Sequence, residues 1–122
     1  MKKRDWRPSP AEFEKIVEEA LDELPEEIGD LLENIVVVIE EEPSRDDRDG
    51  MGDEELLGIY RGVPRTERSF EELPMLPDQI AIFRRPILRC CSSREEAVAE
   101  IRDTVIHEIG HFFGLEDDEM PF

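Results

Sequence analysis

Five consecutive β-branched residues, Ile35-Val36-Val37-Val38-Ile39, restrict the fold of this chain more than any other feature of its sequence. Branching at Cβ limits side-chain rotation within a helix and suits the pleated surface of a sheet. Because the run is apolar at every position and does not alternate, it predicts a strand that is buried on both faces. The residues that follow, Glu40-Glu41-Glu42-Pro43, end this strand.

Two serine-led patterns predict helix N-termini. In Ser9-Pro10-Ala11-Glu12 the serine is placed as N-cap, the proline as first helical residue, and the glutamate completes a capping box. The pattern Ser93-Arg94-Glu95-Glu96 begins a longer helix that we expect to reach about residue 113. Gly114 follows it, in the position of a left-handed C-terminal cap.

The remaining segments predict a short helix or turn near residues 28–32 and two short strands at residues 56–60 and 80–84. The resulting order is helix, strand, strand, strand, helix. That order predicts an α+β domain with a small mixed sheet, an N-terminal helix and a C-terminal helix.

Length and charge bound the functions that are possible. The 122 residues suit one domain, residues 1–122, with a single core. There are 33 acidic and 15 basic residues, and the net charge of -18 repels phosphate backbones and anionic lipids. We therefore expect neither a nucleic-acid partner nor a membrane partner.

The cysteines and the N-terminus predict a cytoplasmic protein. Cys90 and Cys91 are adjacent and make no disulfide framework. Burial explains them better than a soft-metal site, because no further cysteine or nearby histidine completes a ligand set. No secretory apolar region follows the basic N-terminus, and no apolar run approaches membrane-spanning length.

The motif His107-Glu108-Ile109-Gly110-His111, near the end of the last predicted helix, indicates a metal site. At about 100° per residue, His111 lies about 40° round the helix from His107 and one turn further along, so both imidazoles can bind one ion. Glu108 is turned about 60° from His111, which places its carboxylate beside the ion, where it can accept a proton from water. The alternative interpretation is a pair of surface histidines on an acidic helix.

A catalytic zinc site requires a third protein ligand and one open position. Residues 112–122 are too few to supply a glutamate from a later helix. If Gly114 turns the chain back toward the metal, the residue three places later, Asp117, is the candidate ligand. Glu116 and Asp118 are alternatives, and this acidic run could also be a solvated tail.

The chain resembles the small bacterial zincin-like metallopeptidases, also called minimal metallopeptidases. The similarity covers most of the sequence from Leu57 onward, and its most specific part is the motif HEIGHFFG at residues 107–114. The resemblance implies a zincin-like fold in which the metal helix packs below a short sheet. By matching position, it implies His107 and His111 as zinc ligands, Glu108 as general base and Asp117 as third ligand.

These features predict zinc-dependent hydrolysis of a peptide or protein substrate, with Zn²⁺ as cofactor and Glu108 as general base. A non-catalytic zinc-binding interaction module is the main alternative, because so short a chain has little room for a deep specificity cleft. Hydrolysis of a non-peptide amide also fits the motif. Tyr60, the only tyrosine, could contact the substrate or donate a hydrogen bond to its oxyanion. Otherwise it is a half-buried aromatic residue of its strand.

Overall fold

The structure, a computed structural model, describes residues 6–49, 55–62 and 77–113. The helices and strands in these ranges confirm the predicted α+β class. In chain order they are α1 (Pro10–Asp22), α2 (Glu26–Leu32), β1 (Ile35–Glu40), β2 (Gly58–Arg61), β3 (Asp78–Phe83), α3 (Arg84–Cys90) and α4 (Arg94–Phe112).

The strands of the described ranges form one mixed sheet in the order β1-β3-β2. β1 runs parallel to β3 with Val37 opposite Ile80, whereas β2 runs antiparallel to β3 with Tyr60 opposite Ile80. β3 therefore lies between the two other strands. Its last four residues are fully buried, and they alternate between the two faces of the sheet.

The prediction that β1 is buried on both faces is wrong. No residue of β1 is buried, and Val36 remains 43% exposed. Ile35, Val37 and Ile39 pack against the main core, while Val38 packs against a smaller cluster on the opposite face. The reason is strand order: among the described strands β1 pairs only with β3, so β3 takes the central position that the apolar run had suggested for β1.

The main core lies between one face of the sheet and helices α1 and α4, which also pack on each other. α1 begins at the predicted capping box, in which Glu12 N donates to Ser9 Oγ and Ser9 N donates to Glu12 Oε1. The buried side chains of α1 recur at helical spacing, as an amphipathic helix requires. They are Phe13, Ile16, Val17 and Ala20.

The opposite face of the sheet carries an ion-pair network centred on Arg61. Its guanidinium donates to both carboxylate oxygens of Glu40 at 2.9 Å and to those of Asp47 at 3.3 and 2.8 Å. The same group lies 6.0 Å from the centre of the Phe83 ring. The hydrogen bond from Arg61 holds the pKa of the Glu40 carboxyl below its usual value. β1, β2 and the turn that follows β1 are thereby joined on this face.

Helix α3 is an element that the predicted order does not contain. Pro86 follows the strand predicted at residues 80–84, where its position suggests the end of that strand. In the structure it occupies the first turn of α3, where a missing N–H costs nothing. α3 contributes the fully buried Ile87 to the main core. A proline after a strand is compatible with either role, so the sequence pattern did not separate them.

Candidate metal centre

α4 places the two histidines of the motif together at its C-terminal end. The helix begins at Ser93, whose side chain accepts a hydrogen bond from Glu96 N, and it continues to Phe112. The ring centres of His107 and His111 are 6.0 Å apart, and both residues are exposed. Rings at that separation can share one zinc ion, because each Zn–N bond is about 2 Å long.

The hydrogen bonding of His107 suits a metal ligand. Its Nδ1 lies 2.9 Å from the backbone carbonyl oxygen of Asp103. A carbonyl oxygen can only accept, so Nδ1 carries the proton and the lone pair of the ring is on Nε2. Histidines that bind metals usually donate their other ring N–H to a carbonyl or carboxylate in this way.

Glu108 points toward the sheet, unlike the two exposed histidines. Its Oε1 accepts a hydrogen bond of 3.0 Å from the backbone N–H of Tyr60 on β2. The residue is half-buried at the contact between α4 and β2. The carboxylate is therefore held against β2, and its role in proton transfer stays a prediction.

The side chain of Tyr60 lies between β3 and α4. Its hydroxyl donates a hydrogen bond of 2.7 Å to Asp78 Oδ2. Its ring stacks on Phe112 with ring centres 3.9 Å apart and an angle of 18° between the planes. Tyr60 is thus a half-buried aromatic residue of β2, one of the two interpretations of its sequence position. Its contact with a substrate stays a prediction.

A groove of about 360 Å³ lies beside the motif. One wall is α4, including Thr104, His107 and Glu108, and the other is the chain that leads into β2, including Leu57 and Gly58. A larger cavity of about 580 Å³ has none of these residues in its lining and lies around Trp6 and the arginines of α3. We assign the candidate site to the smaller groove, because it contains the groups that can bind metal and transfer protons.

The third metal ligand falls outside the described residues. Asp117, its alternatives Glu116 and Asp118, and the capping residue Gly114 all lie beyond residue 113. Within the part of the chain that the structure describes, no group of three or more His, Cys, Asp or Glu side chains is arranged to hold a metal. Asp117 therefore stays a prediction.

Sequence reasoning did not single out Asp78 or Phe112. Asp78 is only 6% exposed, and among the described residues it is the charged side chain that is buried. An aspartate at the start of the apolar segment Ile80-Ala81-Ile82-Phe83 is a signal that could have marked it, because a buried carboxylate requires a partner. Phe112 lies at the end of α4, where its side chain is 49% exposed and its ring stacks on Tyr60.

A mixed sheet packed on a helix that ends in two histidines and a glutamate is the arrangement expected of a zincin-like metalloprotein. The model of the family described as "Zincin-like metallopeptidase" matches residues 32–121, and the chain belongs to this family.

Among solved structures, a conserved hypothetical protein from Thermo thermophilus has a similar fold, with a TM-score of 0.56 and 26% sequence identity. The alignment covers 86% of this chain and 94% of that protein. No curated protein matches the chain. Among the described residues, no helix has the length and apolar character needed to cross a membrane.

Proposed function

We propose that this protein is a zinc-dependent peptide hydrolase, in which His107, His111 and Asp117 hold the metal and Glu108 is the general base. The donor set fits zinc, because two imidazoles and a carboxylate leave one position open in a tetrahedral catalytic site. Zinc bound there would supply Lewis acidity, which acidifies water and polarises a carbonyl group. The family description supports hydrolysis of peptides as the reaction class.

The observation that carries the proposal is the hydrogen bond from Tyr60 N to Glu108 Oε1. This bond restrains one carboxylate oxygen of Glu108 at β2, which supports a role in proton transfer rather than in metal coordination. With Oε1 engaged, Oε2 is the oxygen that accepts a proton from the attacking water. The same oxygen then returns the proton to the leaving amine.

A peptide or protein substrate would occupy the groove of about 360 Å³ beside Glu108. The groove lies between α4 and the chain entering β2, so a substrate bound there would contact both elements. We further propose a cytoplasmic location, because Cys90 and Cys91 are free thiols, which are typical of a reducing compartment.

The metal assignment is tested by elemental analysis of the purified protein. We expect one zinc per chain, lost in the His107→Ala, His111→Ala double variant. Asp117→Ala should weaken zinc binding, while its neighbour Asp118→Ala, with the same loss of charge, should retain it. Full zinc in the double histidine variant would refute the site, and loss of zinc in Asp118→Ala alone would move the third ligand to Asp118.

Catalysis is tested separately with Glu108→Gln, which keeps the shape of the side chain and removes the proton acceptor. A peptide library is incubated with the zinc-loaded wild type to find a substrate. On that substrate we expect Glu108→Gln to bind zinc normally and to lose at least roughly two orders of magnitude in turnover. The matched control is Glu95→Gln, the same change in the first turn of α4.

Turnover by Glu108→Gln at the wild-type rate would refute the role of the base. The alternative function is a zinc-binding interaction module, which the modest size of the groove favours. A zinc-loaded wild type that cleaves neither the peptide library nor simple amides would establish the module in place of the enzyme.

A further inference from the structure

The outer edge of β2 is where Tyr60 meets α4. In an antiparallel pair, the N–H and C=O of successive residues point alternately toward and away from the partner strand. The carbonyl oxygen of Leu57 accepts a hydrogen bond from Phe83 N. The backbone N–H and C=O groups of Leu57, Ile59 and Arg61 therefore point toward β3. The backbone N–H and C=O of Tyr60 point away from β3, and this N–H donates a hydrogen bond to Glu108 Oε1. The position of this one amide therefore helps to fix the carboxylate of Glu108.

Asp78 binds the hydroxyl group of the Tyr60 side chain. Tyr60 pairs with Ile80, and Asp78 lies two residues before Ile80 on the same face of β3. Diagonal neighbours of this kind are within reach of a tyrosine hydroxyl. The resulting bond, 2.7 Å from the hydroxyl to Asp78 Oδ2, is made to a buried carboxylate at the start of the central strand.

Phe112 links the same tyrosine to the histidine end of α4. Its ring lies flat on the ring of Tyr60, with centres 3.9 Å apart. A Cβ atom at Gly62 would lie 2.9 Å from Phe112 Cε1, so the phenylalanine also packs closely on the end of β2. Because Phe112 directly follows His111 in the last turn of α4, these contacts restrain the turn that carries the second histidine.

We propose that Asp78 and Tyr60 form a positioning pair for the metal centre, an inference that rests on the proposed function. Tyr60 acts through its amide on Glu108 and through its ring on the turn that contains His111. Asp78 acts through Tyr60. Both are positioning residues, since neither is required to touch the metal or the substrate.

In this proposal the hydroxyl of Tyr60 binds Asp78 and does not stabilise the oxyanion of the substrate. A phenol has one proton to donate, and in this structure that proton is directed to Asp78. While this bond exists, the hydroxyl does not donate to a substrate. Tyr60 then contributes to the reaction by fixing the positions of Glu108 and His111 relative to each other.

The proposal is tested by zinc affinity and by the visible absorption spectrum of the cobalt-substituted protein, which reports ligand geometry without any substrate. Tyr60→Leu removes the hydroxyl and the stacked ring, and we expect roughly tenfold weaker zinc binding together with an altered cobalt spectrum. Tyr60→Phe keeps the ring and should give a smaller loss. Asp78→Asn still offers an oxygen to the tyrosine and should restore behaviour close to wild type, whereas Asp78→Val should resemble Tyr60→Phe.

The matched control is Ile59→Ala, which shortens the neighbouring residue of β2. Ile59 packs against the small cluster on the opposite face, with Ala81 and Phe83, so the change weakens the same strand without touching Tyr60 or Asp78. We expect Ile59→Ala to lower the unfolding midpoint and to leave zinc affinity and the cobalt spectrum unchanged. Equal losses of affinity in Ile59→Ala and Tyr60→Leu would overturn the proposal and leave only a structural role.

A second readout needs no metal. In the metal-free protein, hydrogen exchange of the Tyr60 amide should be faster in Asp78→Val than in Asp78→Asn, because the donor group moves away from Glu108. Equal exchange rates in the two variants would also overturn the positioning pair. If the wild type binds no zinc but the two variants differ in exchange rate as expected, the proposed function is refuted. The link from Asp78 through Tyr60 to Glu108 is then still supported.

Discussion

Replacing Gly58 with alanine measures how closely α4 packs on β2. A Cβ atom at this position would lie 2.8 Å from Thr104 Cγ2 on α4 and 2.9 Å from the carbonyl oxygen of Ala81 on β3. The first distance is about 0.7–1.2 Å shorter than the 3.5–4.0 Å at which carbon atoms pack best. The added methyl group therefore requires Thr104 on α4 to shift, and it also presses on a backbone oxygen of the central strand that its neighbours hold in place.

The expected magnitude follows from two opposing terms. Overpacking of a tight interior contact costs about 1–3 kcal/mol. Alanine restricts the unfolded chain more than glycine does, which offsets about 0.4–1 kcal/mol of that cost. With each term near the middle of its range, we expect Gly58→Ala to lower the free energy of unfolding by about 1–2 kcal/mol, or the melting temperature by about 4–8 °C for a chain of this size.

Urea unfolding of the metal-free protein, followed by the fluorescence of Trp6, measures this difference. The matched control is Gly29→Ala in α2, where a Cβ atom would meet nothing within 4 Å. There we expect stabilisation by about 0.4–1 kcal/mol. If Gly58→Ala is as stable as wild type or stabilised like the control, the close packing of α4 on β2 is refuted.

Two further predictions concern ionisable groups. The hydrogen bond from Arg84 lowers the pKa of Glu41 from 4.5 to about 2. The ion pair thus stabilises the fold above pH 4.5, and this contribution is lost as the pH falls from 4.5 to about 2. Arg84→Gln should make the acid-induced loss of stability shallower over that window, and it should have no such effect in a Glu41→Gln background. Burial raises the pKa of the Cys91 thiol to about 12. At about pH 8 we therefore expect iodoacetamide to label the exposed Cys90 first and Cys91 only after unfolding. Equal labelling rates of the two cysteines in the native protein would contradict this prediction.

The features that could be predicted from the sequence are those set by neighbouring residues. The capping box at Ser9 and the N-cap at Ser93 were predicted where the structure has them, because each depends on residues within one helical turn. At Ser93 the reciprocal bond is different, since Glu96 Oε1 accepts from Ser92 N. The relation of His107 to His111 is local in the same sense, because the helix itself fixes their separation.

The assignments that could not be predicted depend on which elements become neighbours. The β-branched run at residues 35–39 is more apolar than β3, yet β3 is the buried central strand. Strand order is set by how the chain connects and packs, and hydropathy within one strand does not encode it. The role of Pro86 was ambiguous for a related reason, since only the packing of Ile87 into the core shows that a helix begins there.

The sequence by itself determined where α1 and α4 begin, the α+β class and a motif whose spacing suits one metal ion. Only the tertiary structure decided which groups surround that motif. Tyr60 and Glu108 are 48 residues apart in the chain, and Tyr60 and Asp78 are 18 apart. The hydrogen bonds between them form only because β2 pairs with β3 on one side and contacts α4 on the other, and no local pattern of residues specifies such contacts.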